Sequence, residues 1–235
     1  MNPIAANLTR IRETIAAAAQ SCGRAPADIK LIAVSKTHPI AKIDTAMDAG
    51  QIVYAENTVQ EALPKITHFA ARGLEWHFIG HLQSNKAKFI PGHFSWLHSL
   101  DNANLAQRLS RLAQEKRVTL NALVEINITG DTKKHGIAAD ALFTLLDQLL
   151  DETLPGIRLR GLMTIAPFPA ATSEIRNAFA ALRALRDDCV QRFGLSDFTE
   201  LSMGMSGDYV EAIKEGSTMV RIGTAIFGER DYAHR

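Results

Sequence analysis

Leu31-Ile32-Ala33-Val34-Ser35-Lys36-Thr37-His38-Pro39 is the stretch from which the fold can be read. A short apolar run rich in β-formers stops at a polar turn, and a helix-like pattern follows over 40–49. The turn has no Gly-x-Gly-x-x-Gly, which counts against a dinucleotide-binding, doubly wound open sheet. The same unit recurs along the chain. Strands are expected near 31–35, 52–55, 76–79, 96–99, 123–128, 159–163, 199–201 and 219–222. Helices are expected over 40–49, 59–71, 86–89, 103–116, 138–150, 172–193 and 209–215. Parallel neighbours need crossover connections, and eight such units are the number that closes a TIM barrel. The expected fold is therefore α/β, a single (β/α)8 barrel spanning 1–235 as one domain. Ile4, Leu8, Ile11 and Ile15, with Arg10, Arg12 and Glu13 between them, add an amphipathic N-terminal helix.

Composition narrows the class. The chain has 235 residues, 46% hydrophobic and 22% charged, with a formal charge of +1. Such a balance predicts neither a nucleic-acid nor a membrane partner. The cysteines, Cys22 and Cys189, show no metal spacing, and a reduced cytoplasmic location is expected. The first twenty residues do not read as an export signal, and no apolar run is long enough to span a bilayer.

In this fold chemistry sits at the C-terminal ends of the strands. That rule selects Lys36, Asn57, His77, Gly80, Ser99, Asn127, Met163, Ser202, Gly204, Arg221, Gly223 and Thr224. Lys36 is the lysine among them. Burial of its stem would make the amine a nucleophile toward aldehydes, or the side chain simply snorkels to solvent. Ser202-Met203-Gly204-Met205-Ser206-Gly207-Asp208 and Arg221-Ile222-Gly223-Thr224 follow the last two strands, where TIM barrels often bind phosphate. Ser206 is the expected N-cap of the helix between them, and the rival reading is turn glycines with a routine cap. Arg221 needs an acceptor, which is a carboxylate, a phosphate or a ring nitrogen. Asn57 either meets a ring hydroxyl or caps the next helix. His77 and His81 lack further ligands at metal spacing, so no metal is expected. No Gly-x-Ser-x-Gly elbow supports a hydrolase. Lys133-Lys134-His135-Gly136 reads as a mobile loop over the barrel mouth.

These segments together resemble the pyridoxal phosphate homeostasis protein family, whose barrel is similar to the N-terminal domain of alanine racemase. The match includes Ala33-Val34-Ser35-Lys36-Thr37, Glu56-Asn57, Trp76-His77-Phe78-Ile79-Gly80 and Leu82-Gln83-Ser84-Asn85-Lys86. It continues through Arg160-Gly161-Leu162-Met163, Leu201-Ser202-Met203-Gly204-Met205-Ser206 and Arg221 to Gly228. The resemblance implies pyridoxal 5′-phosphate (PLP) as cofactor, held as a Schiff base on Lys36. It implies Ser202, Ser206, Gly223 and Thr224 around the phosphate, Asn57 and Met163 near the ring, and Arg221 at the pyridine nitrogen. It implies a protein that holds or delivers the cofactor in PLP homeostasis and affects amino-acid and keto-acid balance; a monomer with PLP-dependent apoenzymes as recipients is expected, though neither is read from the sequence. Two positions depart from the family pattern: Ala55 stands where glycine is usual, and His81 where proline is common.

A cationic partner at the ring nitrogen disfavours its protonation and weakens the ring as an electron sink. The alternative to a carrier without turnover is a small PLP-dependent amino-acid racemase. Two-base racemisation needs a second acid/base, and none of Tyr54, Tyr209 and Tyr232 is expected at an inward strand end. The carrier is the favoured reading.

Overall fold

The computed structural model describes residues 2–132 and 134–229. The strands are β1 (Lys30–Val34), β2 (Val53–Glu56), β3 (Glu75–Phe78), β4 (Trp96–Leu100), β5 (Leu120–Asn127), β6 (Ile137–Ala138), β7 (Ile157–Met163), β8 (Glu200–Ser202) and β9 (Met219–Ile222). All but β6 form one parallel sheet in the order β4-β3-β2-β1-β9-β8-β7-β5, and pairing of β4 with β5 closes it. The result is the expected eight-stranded barrel. The helices are α1 (Pro3–Ser21), α2 (Ile40–Asp48), α3 (Val59–His68), α4 (Ala103–Glu115), α5 (Leu142–Asp151), α6 (Thr172–Phe193), α7 (Tyr209–Lys214) and α8 (Thr224–Phe227).

Strand alternation divides the core in two. Ile32, Val34, Ala55, Trp96, Leu123, Met163 and Met219 pack together inside the barrel. Their neighbours Ala33, Tyr54, Leu97, Val124, Leu162 and Val220 belong to the larger cluster between strands and helices. The register Val34↔Ala55 and Ile32↔Arg221 carries this alternation around the barrel. On α1, Ile4, Leu8, Ile11 and Ile15 are buried as their spacing predicts, and Asn2 caps the helix by accepting from the Ile4 N–H.

Two segments differ from the sequence reading. The helix expected over 138–150 begins only at Leu142, because Ile137 and Ala138 pair with Ile126 and Asn127 as an extension beside the barrel. The segment 84–89 is a 3-10 helix, so β3 and β4 are joined without a full α-helical crossover. Among the described residues no helix is long and apolar enough to cross a membrane.

Candidate functional site at the barrel mouth

Lys36 leaves β1 half-buried, in a turn whose next residue, Thr37, has φ 67°. A β-branched residue there is a backbone outlier, of a kind that clusters at ligand clamps. The turn is held from α3. Glu61 accepts from the Thr37 N–H at 2.8 Å, and one helical turn on, Lys65 donates to the Ser35 carbonyl at 2.8 Å. Lys65 also pairs with Glu56 at 2.7 Å, and Ser35 donates to the same Glu56 oxygen at 2.6 Å. Burial pushes the Glu56 carboxyl above the usual range, against the opposing pull of Lys65. Asn57, just beyond Glu56, is half-buried, and it does not cap α3; Thr58 does. Gly80 lets the turn after β3 approach this point, since a Cβ would lie 2.0 Å from the Asn57 carbonyl oxygen.

The turns after β8 and β9 come together. Ser206 accepts from the Ala225 N–H at 3.3 Å, joining the loop before α7 to the first turn of α8. It is not the N-cap of α7. That place falls to Asp208, whose carboxylate accepts from the Met205 N–H and tightens the loop. Gly204 at φ 97° makes the turn possible, because a Cβ there would strike Ala212 at 2.6 Å. Gly223 and Thr224 begin α8, with Thr224 exposed and Gly223 packed over Val34 at the end of β1. Ser206, Gly223 and Thr224 thus form one cradle.

Ser202 stands apart from it. Its hydroxyl is fully buried between Arg221, 2.6 Å away, and His98, 2.8 Å away. A hydroxyl engaged on both sides supports Arg221 instead of reaching the turns above. Arg221 is 4% exposed and donates further to the Thr164 carbonyl at 2.9 Å. Both partners are neutral. Burial lowers the guanidinium to about 10, while the fields of Asp208 and Glu125 oppose that shift. Met163 is buried in the apolar cluster with Val34 and Ala55, and Ala55 is accommodated there without exposure.

Glu125, inward on β5, escapes the strand-end rule because it lies two residues before the strand's last position. Burial, then the Asp101 charge, raises it to about 7, and Arg221 pulls the other way. His81 is 3.7 Å from Asp101 and stacks on His135 with centroids 4.3 Å apart. Lys134 donates to the Ala166 carbonyl at 2.9 Å. The loop read as mobile is therefore tied at these two residues; Lys133 lies outside the described residues. His77, expected at a strand end, is instead buried inside the barrel against His98 and Glu75. Among the described residues no group of His, Cys, Asp and Glu could hold a metal.

The fold and the mouth together define an alanine racemase N-terminal-type barrel, and residues 6–231 match the alanine racemase N-terminal domain family. The pyridoxal phosphate homeostasis proteins of Escherichia coli strain K12 and Vibrio cholerae are 46% and 44% identical, covering 100% and 99% of both chains. PipY of Synechococcus elongatus, solved with PLP bound, superposes with a TM-score of 0.85 at 38% identity over 96% of this chain and 100% of that one. Alanine racemase from Corynebacterium glutamicum shares the fold, with a TM-score of 0.65 at 16% identity, over 100% of this chain and 63% of its own. The chain belongs to the pyridoxal phosphate homeostasis protein family.

Proposed function

We propose that the chain binds PLP as a Schiff base on Lys36 and serves intracellular PLP homeostasis as a carrier without turnover, the whole of 1–235 acting as one cytoplasmic, monomeric unit. The observation that carries this reading is the mouth itself. A half-buried lysine on a strained, clamped turn shares it with a hydroxyl-and-glycine cradle and a buried arginine. The cradle suits a phosphate: Ser206 and Thr224 offer hydroxyls, and the turn at Gly223 offers backbone N–H groups. Arg221 suits the ring nitrogen, because two of its five N–H donors have neutral partners and its charge has no contacting carboxylate among the described residues. Asn57 and Met163 border the ring from β2 and β7. Bound PLP supplies an aldehyde for amines and a ring that can take up electrons. Arg221, a cation at that ring, keeps its nitrogen unprotonated and limits the second property. Supply of the cofactor to PLP-dependent apoenzymes would link the protein to amino-acid and keto-acid balance.

The tyrosines favour the carrier over the racemase. Tyr54 is fully buried outside the barrel, donating to backbone carbonyls, and burial raises its phenol. Tyr209 lies half-buried on α7, and Tyr232 is outside the described residues. Borohydride reduction of the purified protein followed by peptide mapping tests the reading. The pyridoxyl group is expected on Lys36, and Lys36→Ala should lose the visible absorbance of bound cofactor while remaining folded. A label chiefly on another lysine, or D-isomer formation from L-amino acids at ordinary enzyme rates, would overturn it.

A further inference from the structure

A file of hydrogen bonds crosses the barrel interior beneath the mouth. Arg221 Nη1 lies 2.6 Å from Ser202 Oγ, and Ser202 Oγ lies 2.8 Å from His98 Nδ1. His98 Nε2 lies 2.8 Å from His77 Nδ1, and His77 Nε2 lies 2.6 Å from Glu75 Oε1. Lys30 closes the far end, 2.9 Å from the same carboxylate oxygen. Ser202, His77 and His98 are fully buried, while Lys30 and Glu75 are about one-third exposed at the first residues of β1 and β3. The file therefore runs from the solvent-facing floor of the barrel to the arginine under its mouth. Trp96 stacks flat on His77, 5.5 Å between centroids, and walls it from water.

The two ends determine every proton between them. A guanidinium only donates and a carboxylate only accepts. Arg221 must donate to Ser202, and His77 must donate from Nε2 to Glu75. With His77 neutral, its Nδ1 is then an acceptor, so His98 donates from Nε2. His98 Nδ1 is in turn the acceptor for the Ser202 hydroxyl. Each group donates once and accepts once in the same sense, from the cation to the anion. An added proton on either ring would break this order and place a second buried cation near Arg221. Burial and the neighbouring positive charges accordingly hold both imidazoles below their ordinary range.

We propose that Glu75, His77, His98 and Ser202 form a directional relay in which Glu75, at the opposite end of the barrel, fixes the tautomer of His98 and thereby the orientation of Arg221 toward the ligand. These are positioning residues; in the reading given above, Arg221 alone among the five touches the cofactor. The relay deepens that reading and rests on it only for the identity of the ligand. Head-to-tail hydrogen bonds polarise one another, so loss of the terminal acceptor is felt at the far end.

The test is long-range ¹H–¹⁵N NMR of the full chain labelled at histidine, without added cofactor at pH 7, with His77→Gln and His98→Gln for assignment. Both rings should carry their proton on Nε2. A proton on Nδ1 of either ring, or an imidazolium, overturns the relay. Glu75→Gln keeps an acceptor oxygen and should preserve both tautomers, whereas Glu75→Met should shift His98, two residues along the relay. Both variants lose the ion pair with Lys30, so a purely structural role would move them alike; equal spectra for the two would therefore sink the proposal. PLP titrated into the same samples should bind about fivefold to tenfold more weakly to Glu75→Met, the size of one weakened hydrogen bond to a charged group, and nearly normally to Glu75→Gln. Unchanged affinity alongside a shifted tautomer would overturn the link to the ligand. Failure of the parent chain to bind PLP would overturn the proposed function and leave the relay standing.

Discussion

Behind Lys36, a buried lysine and glutamate meet directly: Lys65 and Glu56 are 2.7 Å apart between barrel and α3, and both also hold Ser35. Behind Arg221, the cation contacts a hydroxyl and a carbonyl, and the carboxylate that ends its chain stands beyond Ser202, His98 and His77. The first arrangement cancels charge where it arises and leaves a fixed platform for one turn. The second leaves charge without a directly contacting carboxylate among the described residues, and in the proposed function the ligand completes it. Buried ionic groups in one molecule thus serve two ends, a rigid support and an open valence. Substitutions in the two networks separate these ends.

The largest effect should come from the closed pair. Lys65→Met leaves Glu56 buried without its partner, and breaking a buried pair on one side typically destabilises by about 3–5 kcal/mol. Urea unfolding should show this as a lowered midpoint with little change in slope. The double variant Lys65→Met/Glu56→Leu should recover most of the loss, since a well-packed apolar pair is often as stable as a buried ionic one. A single variant within about 1 kcal/mol of the parent would mean that the pair does not support the turn.

The interior set should reveal itself through pH. His77 and His98 stay neutral when folded but protonate near pH 6.5 when unfolded, so the unfolded state binds more protons below that pH. Stability is lost as pH falls. Glu125 acts in the opposite sense: raised to about 7 when folded, it holds its proton while the unfolded carboxyl ionises near 4.5, so its contribution is present below 4.5 and lost as pH rises toward 7. Between about pH 5 and 6.5 the two oppose each other. Glu125→Gln removes the opposing term, and the acid-side loss of stability should steepen by roughly 1.4 kcal/mol per pH unit, one proton's worth. Denaturant midpoints measured across that range would show it; parallel curves for parent and variant would place Glu125 in contact with water. The groups facing it, Asp101 and Arg221, are unaltered in the comparison.

Much of this was legible in the sequence, and the parts that were not share a cause. The strands and the long helix over 172–193 follow from local pattern and turn residues, and Lys36 and Arg221 follow from strand position alone. The supports do not. Lys65 lies on a helix and looks like any surface lysine until α3 packs behind the first strand. Glu75, His77, His98 and Ser202 are scattered over 128 residues, and only closure of the barrel puts them in line. Ser206 reads as a cap because sequence shows the helix that follows it; the Ala225 N–H that it meets arrives from the first turn of α8, beyond the last strand. Local propensity is a one-dimensional signal, whereas buried polar compensation is set by tertiary contact.

The smallest effect should fall where neither network reaches. Ser206 is tied to Ala225 by a long 3.3 Å hydrogen bond at the surface of the mouth, so its loss should hardly touch folding. Its value lies in the ligand. If the cradle holds the phosphate, Ser206→Ala removes one charge-assisted donor, and PLP affinity should fall by about 1–2 kcal/mol. Thr224→Ala should do the same, because its exposed hydroxyl opens the adjoining turn. Pyridoxal, which has the ring and the aldehyde but no phosphate, should bind far more weakly to the parent and be nearly indifferent to both changes. Titrations of PLP and pyridoxal into parent and variants, followed by absorbance, make the comparison. If pyridoxal lost as much affinity as PLP, the hydroxyls would be shaping the pocket as a whole, and the anion would have to be sought away from α8.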